Sequence, residues 1–175
     1  MSAQHSNRLM IRPIRKEDNA KIAAIIRAVL SEFGFGKGSS AGDPHLDNLT
    51  QYYQDESQNG AYLVVSDTDG NLFGGGGFAR VVGSHPDEHI CELQKFYLVP
   101  SVRQQGYGKE LLDLILTMAI EKDYVIAYLE TAAKLDSSIK LYQSYGFTSC
   151  APKGNSGHQV VCDISMQLEL KTVSK

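Results

Sequence analysis

A short glycine-containing turn at 103–108 joins a predicted strand to a predicted helix, and a further apolar strand follows that helix. The two strands span His89–Val99 and Tyr124–Glu130. The helix carries an apolar stripe at helical spacing, formed by Leu111, Leu112, Ile115, Leu116 and Ala119. A strand–helix–strand succession of this kind places its two strands parallel, with a right-handed crossover between them. The second half of the chain is therefore predicted to form an α/β unit.

Periodicity and turn signals predict the other elements of the chain. They are a strand over Leu9–Arg15, a helix capped by Asp18, a helix from Asp43-Pro44 to Asn59-Gly60, a hairpin of Ala61–Ser66 and Leu72–Val82, a short helix from Asp136 to Gly146, and a strand over Val160–Leu170. The order is β-α-α-β-β-β-α-β-α-β, which predicts a mixed parallel and antiparallel α/β sheet with helices on both faces. The 175 residues suit one domain over 1–175, with flexible ends at 1–7 and 171–175.

Composition narrows the functional classes. A formal net charge of −3 argues against a nucleic-acid partner, which requires a basic field. Apolar stretches fall short of a membrane span, so we expect no membrane association. The odd count of three cysteines, without a CxxC pair, argues against a secreted disulfide framework and favours a cytoplasmic location. His85 and His89 with the neighbouring Asp87 and Glu88 are interpreted as a solvated loop, so no metal is expected.

Two glycine clusters stand out by position. Gly74–Gly77 lies inside a predicted strand, which indicates a bent or bulged strand or one closely packed by another backbone. Gly106 and Gly108 lie between a strand and a helix, where free N–H groups and the positive end of the helix dipole suit a phosphate. An ordinary tight turn is the alternative. The pattern is not a dinucleotide fingerprint, because Leu111 replaces the third glycine, and it lacks the GK[ST] of a Walker loop.

Three segments resemble the GCN5-related N-acetyltransferase (GNAT) family, and they follow one another along the chain in the order typical of that family. The turn 103–108, Arg-Gln-Gln-Gly-Tyr-Gly, resembles the [RQ]-x-x-G-x-[GA] motif of that family. Leu93–Pro100 is similar to the family strand that ends in proline before the motif, and Ile139–Phe147 resembles the A-I-x-L-Y-x-x-x-G-F segment. The order of elements agrees from Leu9 to Leu170, which is nearly the whole chain.

The resemblance implies a fold that binds acetyl-CoA as co-substrate. The pyrophosphate would be held by the N–H groups of Gln104, Gln105, Gly106, Tyr107, Gly108 and Lys109, with Arg103 at the start of the loop. The preceding strand would splay from its parallel neighbour, so that the pantetheine arm fills the gap. Backbone groups of Phe96, Tyr97 and Leu98 would bond the arm and polarise the thioester carbonyl.

The resemblance also implies two catalytic residues for direct attack of an amine on the thioester. Glu92 is similar in position to the glutamate that serves as base in some members, and a solvated or ion-paired strand residue is its alternative interpretation. Tyr142 matches the tyrosine that protonates the departing thiolate, and a core aromatic on a helix stripe is its alternative. Strand alternation predicts that Glu92, Gln94 and Phe96 share one face.

One departure and several open points accompany these assignments. Leu135 stands where many members carry an asparagine that bonds the CoA arm. The acceptor, a small-molecule amine or a protein amino group, would contact Phe33–Gly42, Gly83–Glu88 or Ala151–His158, with Phe33, Phe35 and the acidic Asp87-Glu88 lining the mouth. A non-catalytic acyl-CoA-binding module and a generic phosphate-binding domain remain alternatives, and a homodimer is possible.

Overall fold

The computed structural model describes residues 8–35, 43–154 and 162–171. Its strands are β1 Met10–Pro13, β2 Ala61–Ser66, β3 Leu72–Arg80, β4 Ile90–Leu98, β5 Ile126–Thr131, β6 Thr148–Ser149 and β7 Ile164–Glu169. Its α-helices are α1 Asn19–Glu32, α2 Leu49–Gln54, α3 Tyr107–Glu121 and α4 Asp136–Ser144. The seven strands form one sheet in the order β1-β2-β3-β4-β5-β7-β6.

The mixed sheet with helices on both faces is confirmed. β4 and β5 are parallel, as a right-handed βαβ unit requires, and all other neighbouring strands are antiparallel. One core packs α3 and α4 against the sheet through Leu111, Leu112, Ile115 and Tyr142. A second core packs α1 and α2 on the other face through Ile22, Ile26, Leu49 and Tyr53. Both faces of the central strands are therefore buried.

Three local features differ from the predictions, although α1 begins directly after Asp18, as predicted. Asp18 does not cap α1 with its side chain, because its carboxylate accepts hydrogen bonds from the N–H of Arg15 and the guanidinium of Arg12 instead. Asp43 accepts from the N–H of His45, but a 3-10 turn follows and the α-helix begins only at Leu49. The two-residue strand β6 is too short to leave a periodic pattern, and it was missed.

Some predictions fall outside the described residues. These are the flexible end at 1–7 and most of the one at 171–175, the loop residues 36–42, and the acceptor-loop residues 155–158 together with Val160 and Val161. The final strand is described from Ile164, two residues after Cys162.

The four glycines of β3 lie in a close-packed and bulged part of the sheet, as predicted. A Cβ atom on Gly77 would come within 2.5 Å of the Ala61 carbonyl oxygen and 2.7 Å of the Tyr62 ring. One on Gly75 would come within 2.4 Å of the Leu63 carbonyl oxygen and 2.8 Å of that same ring. These glycines leave room for Tyr62 to lie across β3.

The bulge itself is in β4. Gly77 pairs with Gln94 and Gly75 pairs with Tyr97, so two residues of β4, 95 and 96, stand opposite the single Gly76. Lys95 takes a left-handed conformation with φ of 52°. An extra residue reverses the alternation of the strand beyond it, because successive side chains point to opposite faces.

We expect Gly77→Ala to lower the free energy of unfolding by about 1–3 kcal/mol, the usual cost of overpacking. The neighbouring carbonyl and ring cannot both move away from the added methyl group. Urea unfolding followed by circular dichroism measures the change.

Gly108→Ala is the matched control, because a Cβ there would lie no closer than 3.6 Å to a neighbour and the residue is in α3. It should leave stability unchanged or raise it by up to about 1 kcal/mol, the helix preference of alanine. Equal effects of the two substitutions would contradict the packing argument.

Candidate functional site

The site is built where β4 and β5 part. The two strands pair only over Ile90–Glu92 with Ile126–Tyr128, and beyond that point each runs on without the other. A cleft that is open to solvent lies between them. Its wall consists of Leu30, Phe35, Leu93, Lys95, Phe96, Tyr97, Leu129, Glu130, Thr131, Ala132, Leu135, Ser138, Tyr142 and Cys162. The separation that the family resemblance implied is therefore present.

The turn between β4 and α3 presents its backbone donors. Gln104 and Gly106 have positive φ angles of 60° and 91°, and α3 begins directly after Gly106. The first helical hydrogen bond runs from the N–H of Glu110 to the carbonyl of Gly106. Within the described part of the chain, none of the hydrogen bonds uses the N–H groups of 104–109. Donors of this kind at a helix N-terminus suit an anion such as a pyrophosphate.

Two side chains of this turn are engaged elsewhere in the protein. Gln105 donates to the carbonyl of Ser101, at 2.7 Å. The hydroxyl of Tyr107 accepts from the N–H of Leu9, at 3.3 Å, and its ring packs against the α3 core. These residues therefore offer the turn their backbone N–H groups, whereas Lys109 keeps an exposed side chain.

Arg103 connects the turn to α1. Its guanidinium makes two hydrogen bonds to the Glu32 carboxylate, at 2.6 and 2.7 Å, and a third to the carbonyl of Leu98, at 2.8 Å. It also lies 5.4 Å from the centroid of the Phe33 ring. The hydrogen bond from Arg103 lowers the pKa of Glu32. Because its charge is paired with Glu32, Arg103 adds little net positive potential at the turn. Its main contribution is to connect the end of β4 to α1.

Tyr142 projects from α4 into the cleft wall. Its side chain is buried, and its ring meets the Phe96 ring edge-on at 6.1 Å and the Phe147 ring at 5.6 Å. Burial raises the pKa of the phenol well above its usual value near 10. The hydroxyl is therefore protonated at neutral pH, the state that a proton donor needs.

Glu92 lies on the opposite face of the sheet. It is 3% exposed and accepts a hydrogen bond from the Gln94 amide, at 3.0 Å. The same amide accepts from the hydroxyl of Tyr53, a residue of α2, at 2.9 Å. A polar chain thus runs from α2 to the Glu92 carboxylate, just before β4 and β5 separate.

The predicted common face of Glu92, Gln94 and Phe96 is wrong for Phe96. Glu92 and Gln94 face α1 and α2, whereas Phe96 contacts Tyr142 and lies beside Gly76 on the α3 side. The bulge at Lys95 inserts one residue, and strict alternation cannot anticipate it.

Tyr97 and Leu98 follow the bulge on opposite faces. Tyr97 is packed against the α1–α2 core and also borders the cleft, and burial raises its pKa to about 12. Leu98 packs against the α3 core. Both backbones belong to the part of β4 that β5 no longer covers, as the resemblance requires of groups that contact an extended cofactor arm.

Several cleft residues were not anticipated from the sequence. Lys95 is a charged residue in a run that otherwise resembles a strand, and only the opposing glycines hint at its conformation. Leu30 was predicted to belong to the apolar stripe of the first helix, and the sequence did not indicate that it also lines the cleft. Leu135 does line the wall, as an apolar surface, with Ser138 one turn further along α4.

The expected acceptor segments differ in their relation to the cleft. Phe35 is buried in its wall and carries the ammonium of Lys134 3.9 Å above its ring. Asp87 and Glu88 instead form an exposed turn closed by hydrogen bonds with His85, and they are not in the wall. In the described ranges, no group of three or more His, Cys, Asp or Glu side chains is arranged to hold a metal ion. No helix among those residues is long and apolar enough to cross a membrane.

Comparison with known proteins gives consistent results. The model of the acetyltransferase (GNAT) family matches residues 22–147. YjgM of Escherichia coli K12, an uncharacterized N-acetyltransferase, is 40% identical over 164 residues, which are 92% of this chain and 95% of that protein.

Solved structures share the fold. An acetyltransferase of the GNAT family from Staphylococcus aureus Mu50 superposes with a TM-score of 0.78 at 20% identity, covering 94% of this chain and all of that one. YncA of Salmonella typhimurium, solved with its cofactor acetyl-CoA, gives 0.70 at 22% identity over 96% of this chain and 97% of its own. The family model matches most of the chain, and YjgM is 40% identical over 92% of it. The chain therefore belongs to the GNAT family of N-acetyltransferases.

Proposed function

We propose that the protein transfers an acetyl group from acetyl-CoA to a primary amine by direct attack within a ternary complex. The observation that carries this proposal is the separation of β4 from β5, with Tyr142 in the wall of the cleft between them. The turn that follows β4 adds the N–H groups of 104–109, which none of the hydrogen bonds among the described residues uses. Together these features provide a place for a long anionic cofactor and a proton donor beside its reactive end.

The cofactor arm follows the backbone. The pyrophosphate binds the N–H groups of 104–109, where the dipole of α3 favours negative charge. The pantetheine arm then runs along β4, bonding the backbone of Phe96, Tyr97 and Leu98, which β5 leaves uncovered. An N–H group aimed at the thioester oxygen stabilises the charge that develops there during attack.

The reaction balances without a metal ion. The amine nitrogen attacks the thioester carbon, a C–N bond forms, and the C–S bond then breaks. The acceptor loses two protons, the first when its ammonium form becomes the neutral amine and the second as the amide forms, and both pass to a base and from it to solvent. The thiolate that leaves takes the proton of the Tyr142 hydroxyl, and Tyr142 then regains a proton from solvent. The products are the N-acetylated amine and CoA with a free thiol.

Glu92 is the proposed base. An amine with a pKa near 10.4 is neutral in only roughly one molecule in 2,500 at pH 7, so removal of its proton limits the rate. Glu92 is buried beside Gln94 and is not in the cleft wall, which favours a relay through water over direct contact. The acceptor therefore approaches from the α1–α2 face, and the thiolate is protonated from the α3–α4 face.

A cytoplasmic location accompanies this proposal. Cys91, Cys150 and Cys162 all carry free thiols, as expected in a reducing compartment. The acceptor is a small-molecule amine or a protein amino group.

Acetyl-CoA should raise the melting temperature, because a ligand that binds only the native state stabilises it. At a hundred times its Kd the stabilisation is about 2.7 kcal/mol.

Gly106→Ala should weaken acetyl-CoA binding at least about ten-fold, or about 1.4 kcal/mol, because alanine disfavours the φ of 91° that opens the turn.

Gly70→Ala is the matched control, since Gly70 also has a positive φ and no atom within 4 Å of a Cβ, but it lies in the β2–β3 hairpin. Calorimetric titration of both variants with acetyl-CoA distinguishes an effect on the turn at 103–108 from the general cost of placing alanine at a positive φ. Absence of any thermal shift at millimolar acetyl-CoA would refute cofactor binding.

Tyr142→Phe should lower kcat by about 10- to 100-fold while leaving acetyl-CoA affinity nearly intact. The effect stays at the low end for acid catalysis, because a thiol with a pKa near 8.5 already leaves readily. The assay is release of CoA thiol, with the amine that reacts fastest in a panel of primary amines. Tyr124→Phe, a buried tyrosine whose hydroxyl contacts the backbone at 58–59, should retain wild-type kcat. Loss of cofactor binding in the Tyr142 variant would instead make that residue structural.

Glu92→Gln should reduce kcat at pH 7 by about 10²- to 10³-fold, within the range of a general base. The deficit should shrink as pH rises toward 10, because the neutral fraction of the amine then increases without a base. Glu121→Gln, at the exposed end of α3, should follow the wild-type pH profile. A deficit that is constant across this pH range would show that Glu92 is not the base.

A further inference from the structure

Lys95 adopts a backbone conformation that residues other than glycine seldom take. Its φ of 52° produces the bulge of β4, at the point where the strand borders the cleft. The bulge sends Phe96 toward Tyr142, 6.1 Å between ring centroids, instead of toward Glu92. The backbone that follows Lys95 is the part of β4 proposed to contact the thioester.

Three contacts hold Lys95 in this conformation. Its ammonium lies 2.7 Å from an oxygen of the Asp43 carboxylate, and the two side chains are only 13% and 15% exposed. The same ammonium is 5.8 Å from the centroid of the Tyr52 ring. The backbone carbonyl of Lys95 accepts a hydrogen bond from the hydroxyl of Tyr62, at 3.0 Å. A strained backbone persists only where its surroundings determine it in this way.

Asp43 is itself fixed in place. Its carboxylate accepts from the N–H of His45, at 2.9 Å, and the His45 ring stacks on Tyr52 at 4.5 Å. Burial raises the pKa of Asp43, but the charge and hydrogen bond of Lys95, together with the hydrogen bond from the N–H of His45, outweigh it and lower that pKa, so the carboxylate is ionised at neutral pH. The ion pair therefore ties the start of the α2 region to the bulge of the central strand.

We propose that the Asp43–Lys95 ion pair positions the bulge of β4 and, through it, the backbone N–H groups that polarise the thioester carbonyl. Both are positioning residues, since they act through the backbone. The inference rests on the proposed function, and it assigns the pair a role distinct from proton transfer.

The test compares two replacements of Lys95. Lys95→Met keeps an unbranched side chain but loses the ion pair. A φ of 52° is still strained for methionine, so without the ion pair the bulge should relax. Lys95→Gly also loses the ion pair, but glycine takes a φ of 52° without strain, so the bulge should persist. Infrared spectra of bound ¹³C-labelled acetyl-CoA report carbonyl polarisation as a lower C=O stretching frequency.

The expected result is loss of the infrared shift and a fall in kcat of about 10- to 100-fold for Lys95→Met and Asp43→Ala. Lys95→Gly should retain the shift and lose clearly less kcat than Lys95→Met. Asp47→Ala removes an exposed ion pair with Arg27 in the same region, and Asp123→Gly replaces another residue of positive φ outside the cleft, so both controls should match the wild type. Melting temperatures establish that each variant is folded.

Retention of the shift in Lys95→Met would overturn the inference, as would equal loss in Lys95→Gly and Lys95→Met. If Lys95→Met does not fold, Asp43→Ala and Lys95→Gly still give opposite predicted results. Failure of the wild type to bind acetyl-CoA or to release its thiol would refute the proposed function and this inference with it. That outcome is visible in the wild-type sample alone.

Discussion

The separation of β4 from β5 after Glu92 is the constraint on which the site depends. Two parallel strands normally satisfy each other's backbone groups along their whole length, and here they do so only over Ile90–Glu92. The remainder of β4 is not paired with β5, and two of its carbonyl groups, those of Lys95 and Leu98, accept side-chain hydrogen bonds from Tyr62 and Arg103. In the proposed mechanism, a cofactor arm would pair with backbone groups of β4 that β5 leaves uncovered, so cofactor affinity and sheet geometry would have the same physical origin.

The same separation divides the chemistry between the two faces of the sheet. Tyr142 belongs to the α3–α4 layer, whereas Glu92, Gln94 and Tyr53 belong to the α1–α2 layer. In an unbroken sheet these layers would be isolated from each other by the backbone. In the proposed mechanism, the gap would allow groups from both layers to reach one thioester, so a single group would not need to serve as both base and acid.

The sequence was sufficient for the features that depend on local pattern. The parallel pair, the turn at 103–108 and the helix that carries Tyr142 were predicted because strand periodicity, glycine placement and a family-like segment all act over a few residues. The face of Phe96 and the proposed role of Asp43 were not predictable in the same way. Each depends on the bulge at Lys95, which is contacted by a tyrosine hydroxyl and a carboxylate distant in sequence. The cap assigned to Asp18 failed for a similar reason, because Arg12 from a strand competes for its carboxylate.

The ring of Tyr62 lies where the side chains of residues 75 and 77 would otherwise be, and its hydroxyl supports the carbonyl of Lys95. These positions therefore cannot change independently. A side chain at 75 or 77 would expel the ring, and a small residue at 62 would leave a void above two glycines and an unsupported bulge. Among relatives of this chain, positions 62, 75 and 77 should therefore vary together. A tyrosine at 62 with glycines at 75 and 77 should accompany a bulge in β4.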